Sequence, residues 1–232
     1  MSKIYVVPTP IGNLEDITFR AIRILKEVDF ILAEDTRQTI KLLKHYDIQK
    51  KIISHHKFNE HRNLQHIIDQ INSGLNIALV SDAGTPCISD PGFLLVRECL
   101  KNEITVECLP GPTALIPALV NSGFPSDRFI FEGFLPQKKG RKKRLQSLIN
   151  EPRTVIFYES PFRLVKALDE MIDVFGPERL ACVSRELTKM YEENKTGTLK
   201  ELSEYFKNKG VKGEIVIIVK AFDETSNNSD NE

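Results

Sequence analysis

The stretch KIYVVPTPIGNLEDITFRAIRILKEVDFILAE, residues 3–34, decides the fold. It opens on KIYVV, short, apolar and rich in β-branched residues, which reads as a strand over 3–7. Pro8, Pro10 and Gly12 end it. TFRAIRILKEV then repeats its apolar residues at helical spacing. Thr18 is placed to cap that helix, and Ala21, Ile22, Leu25 and Val28 make one face. FILAE, at 30–34, is a second strand. Strand, helix and strand in about thirty residues form the repeating unit of a parallel sheet.

The pattern continues outward. KIISH (51–55), IALVS (77–81) and ITVECL (104–109) are further strands. In NEHRNLQHIIDQINSG, Leu64, Ile67, Ile68 and Ile71 recur at helical spacing, and Gly74 is placed to end the helix. This alternation predicts an α/β fold with a mostly parallel sheet covered on both faces. Gly123 and Pro125 break the chain in NSGFPSDRF, so a domain junction is expected there. The second half repeats the alternation, with strands at 128–134, 153–159, 179–186 and 213–221 and helices at 141–149, 162–175 and 198–209. The expected organisation is an N-terminal α/β domain over 1–122, a C-terminal α/β domain over 123–222 and a disordered acidic tail over 223–232.

Bulk properties narrow the class. The 232 residues are 41% hydrophobic and 28% charged, enough apolar material for two packed cores. Formal net charge is +0, so attraction for a polyanion must be local. No apolar run has the length of a membrane span, and the N-terminus enters a strand without a signal-peptide pattern, which implies a cytoplasmic protein with no membrane partner. Cys87, Cys99, Cys108 and Cys182 lack C-x-x-C spacing and lie in apolar segments, as reduced thiols do. No cysteine or histidine spacing marks a metal site.

Ligands of open α/β sheets sit beyond the carboxyl ends of the strands. PTPIGNLED, EDTRQT, HHKFNEH, SDAGTPCISDPG and PGPTA follow the five strands of the first half. One such loop alone is an ordinary turn. Asp82 and Asp90 can serve as helix caps, with Pro91 as first helical residue, and Glu34, Asp35 and Arg37 can form a solvated ion-pair set. Five of them on one edge make a lined cleft. The sequence has neither G-x-x-x-x-G-K-[ST] nor G-x-G-x-x-G, which removes the usual phosphate cradles. A lysine-free loop of small residues lets main-chain groups approach a polar ligand without a phosphate. S-adenosylmethionine, a sugar and an amino acid all satisfy that description.

The segments YVVPTPIGNLEDITFRAI, AEDTR, ALVSDAGTPCISDPG, LPGPTA, SDRFIFEGFLP, RTVIFYESPFRL, RELTK and KGEIVIIV span nearly the whole chain. Through them the sequence resembles the tetrapyrrole-methylase-like class of S-adenosylmethionine-dependent methyltransferases. Within that class it resembles the branch that methylates a cytidine ribose 2′-oxygen in the decoding region of small-subunit ribosomal RNA. The resemblance implies two α/β domains with the cofactor cleft between them, usually in a homodimer. It implies cofactor contacts at Asp82, Ala83, Gly84, Thr85, Pro86, Cys87 and Ile88, at Thr113 and Ala114, and at Tyr158, Glu159, Glu186 and Leu187. It places the loop at 8–12 beside the acceptor. Thr85 stands where tetrapyrrole enzymes usually carry Asp, which argues against the alternative of a tetrapyrrole C-methyltransferase. The intact loop set argues against a non-catalytic RNA-binding relative.

RNA has separate support in QKKGRKKR, where Lys138, Lys139, Arg141, Lys142, Lys143 and Arg144 surround one glycine. In a neutral chain that is a strong local basic patch, suited to gripping phosphates. Its expected partner is small-subunit ribosomal RNA within the assembled subunit. A ribose hydroxyl needs a proton acceptor and in-line placement. Glu34, Asp35, His56 and Glu60 are the candidate bases or orienting groups, and Arg37 the candidate phosphate or alkoxide partner.

Overall fold

The computed structural model describes residues 2–222, and the acidic-tail expectation for 223–232 lies outside the described residues. The chain divides into two compact units, Met1–Thr113 and Ala114–Glu232. The boundary falls before the one expected from Gly123 and Pro125. The reason is the helix Leu115–Ser122, which packs on strands of the second unit.

The first unit alternates strand and helix throughout: β1 (Lys3–Val6), α1 (Phe19–Glu27), β2 (Phe30–Ala33), α2 (Thr36–His45), β3 (Lys51–Ser54), α3 (Glu60–Asn72), β4 (Ile77–Val80), α4 (Phe93–Lys101) and β5 (Thr105–Cys108). The sheet order is β3-β2-β4-β1-β5, and every pairing is parallel. Alternate residues of the central strands enter different cores. Ile31, Ala33, Ala78 and Val80 pack with Ala21, Ile24 and Leu25 of α1 and Leu43 of α2. Phe30, Leu32, Ile77 and Leu79 pack with Ile67, Ile68 and Ile71 of α3 and Leu95 and Cys99 of α4. Burial on both faces explains why these strands read as continuous apolar runs. Each fully buried leucine or isoleucine contributes on the order of 1.5–3 kcal/mol. Thr18 caps α1 as its position suggests, its side chain accepting from the Ala21 N–H.

The second unit contains α5 (Leu115–Ser122), β6 (Phe129–Phe134), α6 (Arg141–Gln146), β7 (Thr154–Glu159), α7 (Leu164–Phe175), β8 (Leu180–Arg185), β9 (Glu193–Thr198), α8 (Leu199–Lys209) and β10 (Ile215–Val219). Its sheet order is β6-β7-β10-β8-β9. Only β6 and β7 are parallel, and the other pairings are antiparallel. The alternation in the sequence therefore misleads about strand polarity. The connection from β8 to β9 carries no helix, so it returns as a hairpin. β10 then inserts between β7 and β8 against both. The strand β9, ENKTGT, has no buried residue and carries no apolar alternation, which hides it from a pattern reading. Helices α7 and α8 cover one core with Val155, Phe157, Ala181, Val183, Ile215 and Ile217. Among the described residues no helix is long and apolar enough to cross a membrane.

Candidate functional site

At the carboxyl edge of the first sheet the loops after β1, β4 and β5 are tied together. Thr9 and Gly84 exchange both main-chain hydrogen bonds, at 2.9 and 2.8 Å. The buried Thr9 hydroxyl donates to the Ser81 carbonyl at 3.1 Å, and the Thr85 hydroxyl to the Pro112 carbonyl at 3.1 Å. A Cβ on Gly111 would lie 2.7 Å from Pro8 Cβ, so this approach requires glycine. The loop at 8–12 is thus a strut for the loop at 81–92.

Within that second loop Gly84, Cys87 and Ser89 all have positive φ. Among the described residues the N–H groups of Ala83, Thr85 and Cys87 have no hydrogen-bond partner. Three unpartnered main-chain donors on one loop are available to an anionic group such as a carboxylate. Residues 82–88 carry no cationic side chain. This donor set fits the amino-acid end of S-adenosylmethionine. Burial pushes the Cys87 thiol up to about 12, so it stays protonated at neutral pH. Cys108, by contrast with the apolar setting expected for it, is exposed.

A pocket of about 480 Å³ opens between the carboxyl ends of β2 and β3. Glu34, Asp35, Thr36 and Arg37 line one side, and Ser54, His56, Lys57 and Phe58 the other. Topology explains the opening. The loop after β2 leads to α2 on one face of the sheet, whereas the loop after β3 leads to α3 on the other. Four of the five candidate catalytic residues, Glu34, Asp35, Arg37 and His56, meet here.

Their environments differ. Asp35 is the N-cap of α2 and accepts from the Arg37 N–H at 2.9 Å. Its carboxylate also holds the Arg37 guanidinium, with Nη2–Oδ2 at 2.6 Å. These bonds hold the Asp35 carboxyl down at about 2. Asp82 Oδ1 accepts from the Asp35 N–H at 3.0 Å, linking the loops after β4 and β2. Asp82 is therefore no cap for α4. Burial raises the Glu34 carboxyl above its ordinary value, and the neighbouring Asp82 charge adds to this. His56 Nδ1 accepts from the Phe58 N–H at 3.2 Å, so the neutral ring carries its proton on Nε2.

Glu60, the fifth candidate, does not line the pocket. It is buried, and its Oε1 accepts from the N–H groups of Gly92 and Leu94 at 3.1 and 3.2 Å. It caps α4 from α3. The residue at the N-cap position is Gly92, so α4 starts too late for Asp90 to cap it or for Pro91 to be its first residue. Glu60→Ala would leave two amides at the start of α4 without partners. It is expected to cost about 1–3 kcal/mol of stability, read by urea unfolding, while the pocket residues keep their places.

In the second unit β7 and β8 both flank β10, where Ile215 stands opposite Glu159 on one side and Arg185 on the other. Tyr158, Glu159, Glu186 and Leu187 therefore share one edge. Tyr158 packs edge-to-face on Phe131 and Phe134. Glu159 is buried and committed: Oε2 meets Arg141 Nη2 at 2.9 Å, and Oε1 meets Arg163 Nε at 2.9 Å. Glu186 bonds Lys189 Nζ at 2.8 Å, and its side chain occupies the space a Cβ on Gly213 would need. Arg141 is buried between Glu159 and Glu170, unlike the exposed phosphate-gripping role the basic run suggests. Arg144 forks onto Glu132 at 2.6 and 2.7 Å. Lys138, Lys139, Lys142 and Lys143 are exposed and make no ion pair among the described residues. Phe58, Ser54 and Lys57 were not singled out in the sequence. The signal available for them was HHKFNEH, a strand-end loop with a large aromatic where turn residues are usual.

The comparisons with known proteins agree with this architecture. The family model for tetrapyrrole (corrin/porphyrin) methylases matches residues 3–203. A Thermotoga maritima protein named ribosomal RNA small subunit methyltransferase I is 46% identical over 219 residues, covering 94% of this chain and 98% of its own length. The Vibrio cholerae protein of the same name is 50% identical over 222 residues, covering 94% of this chain and 77% of its own. Among solved structures, uroporphyrin-III-C-methyltransferase from Thermus thermophilus aligns with TM-score 0.66 at 18% identity, over 95% of this chain and 94% of that one. Diphthine synthase aligns with TM-score 0.71 at 14% identity, over 95% and 90%. At these identities the two structures speak to the fold.

Proposed function

The chain belongs to the tetrapyrrole (corrin/porphyrin) methylase family, and we propose that it methylates the ribose 2′-oxygen of a cytidine in small-subunit ribosomal RNA, with S-adenosylmethionine as donor. The observation that carries this reading is identity of 46–50%, across 94% of the chain, to proteins named for methyl transfer to that RNA. A tetrapyrrole acceptor has no such support, since the uroporphyrin enzyme shares 18%.

When bound, S-adenosylmethionine supplies a methyl group on a positively charged sulfur. The chain supplies the rest. The unpartnered amides of Ala83, Thr85 and Cys87 would hold the methionine carboxylate, and Thr113 and Ala114 are further proposed contacts. On the second unit taken by itself, Tyr158, Glu186 and Leu187 are the residues proposed to meet an adenosine. Glu159 belongs to that edge through its main chain, because its carboxylate holds two arginines. Glu34 accepts the proton of the ribose hydroxyl. It is the pocket carboxylate whose basicity is raised. Arg37, anchored on Asp35, turns an exposed guanidinium to the RNA backbone. Lys138, Lys139, Lys142 and Lys143 grip phosphates without reading sequence. The assembled subunit is the proposed acceptor, and the cytoplasm the proposed site of action. A second copy of the chain is the proposed cover for the exposed Phe162 and Met190.

The test is transfer of tritiated methyl groups to small subunits lacking the modification, followed by nuclease digestion. Label in 2′-O-methylcytidine is the expected result. Label in a methylated base, or transfer to a tetrapyrrole instead of RNA, would overturn the reading.

A further inference from the structure

Phe58 is 93% exposed, although a phenylalanine on a loop would ordinarily turn inward. Its exposure is held in place by polar bonds around it. The Phe58 N–H donates to His56 Nδ1 at 3.2 Å. The His56 N–H donates to Asn59 Oδ1 at 2.8 Å, and Asn59 Nδ2 donates to the Ser54 carbonyl at 3.0 Å. The His56 and Phe58 rings lie edge to face, 6.0 Å apart. A loop pinned by three hydrogen bonds presents the ring at the same pocket that holds Glu34, Arg37 and Lys57.

We propose that Phe58 is a stacking platform for the base of the acceptor nucleotide, and so a positioning residue for the reaction. The inference rests on the reading of the pocket as the RNA acceptor site. A nucleotide stacked in folded RNA does not offer its sugar to a pocket, so it must leave the stack, at a free-energy cost. An aromatic face returns part of that stacking with little preference for the base. The pocket is of a size that takes a nucleoside. Phe58 shares its pocket with Glu34, Arg37 and Lys57, so an aromatic face, a carboxylate and two cations, chemistries suited to a base, a ribose hydroxyl and phosphates, line one site.

The chain contains no tryptophan, so Phe58→Trp installs a single tryptophan, excited at wavelengths the five tyrosines do not absorb. Phe19→Trp, at a residue 94% exposed at the start of α1, is the control. Phe58→Ala is expected to lower kcat/KM for small subunits about 5- to 150-fold, mostly through KM. Phe58→Trp should recover most of it. Adding small subunits should quench the tryptophan at position 58 and leave that at 19 unchanged. Wild-type kcat/KM in Phe58→Ala, or unquenched emission from Phe58→Trp while it methylates RNA, would overturn this inference and leave the function standing. Absence of RNA methylation by the wild-type protein would overturn both.

Discussion

Glutamine in place of Glu34 is expected to lower methyl transfer about 10²- to 10⁴-fold, with S-adenosylmethionine affinity unchanged within a few-fold. The geometry separates Glu34 from its neighbours. Asp35 is held at about 2 by Arg37 and caps α2, so it is too weak a base and too firmly bound. His56 spends Nδ1 on the Phe58 N–H, so its neutral ring offers the pocket a donor. Asp82 is tied to the Asp35 N–H. Glu34 combines partial burial with the repulsion of Asp82, and both raise its proton affinity. The sign follows from its role. Only the ionised carboxylate accepts a proton, so kcat rises with pH through the raised Glu34 value and levels above it. Asp82→Asn keeps an oxygen acceptor for Asp35 but removes the charge, and should move that rising limb to lower pH. A pH–rate series on the three proteins checks this. Wild-type turnover in Glu34→Gln would remove Glu34 as the base.

The first sheet was legible because its strands are buried on both faces. Their apolar runs, bounded by proline and glycine, stand out against helices with one apolar face. The pocket was half legible for the same reason: the carboxyl ends of β2 and β3 can be located, so Glu34, Asp35, Arg37 and His56 fall on one edge. Glu60 could not be separated from them by position. Its commitment to the amides of Gly92 and Leu94 depends on where α4 starts, which is a packing result. Gly92 itself is fixed by crowding, since a Cβ there would lie 2.6 Å from Leu79 Cδ2 and 2.9 Å from Cys87 Sγ. In the second unit, strand polarity is set by the order in which β10 and β9 join the sheet, and local propensity carries no record of that order. A basic run, likewise, does not say which of its charges faces inward.

Arg141→Met is expected to destabilise the protein by about 3 kcal/mol, at the low end for breaking a buried ion pair. Arg141 lies buried at the start of α6 and bridges Glu159 at the end of β7 to Glu170 of α7. Removing it leaves the Glu159 carboxylate in a buried site. Arg163 at 2.9 Å and the Ser160 N–H at 2.7 Å still bind that carboxylate, which keeps the loss from the upper end of the range. For a chain of this size the shift in Tm should be roughly 6–12 °C, measured by calorimetry. Lys142→Ala and Lys143→Ala, on exposed neighbours in the same run, should change stability by about 0.5 kcal/mol or less. They should instead weaken RNA binding and reduce its salt dependence. The double variant Arg141→Met, Glu159→Gln should lose less than the sum of its singles, because the stranded charge is gone. If Arg141→Met left Tm unchanged while weakening RNA binding as the lysine variants do, Arg141 would be a phosphate contact. The Glu159–Glu170 bridge would then carry no weight in the fold.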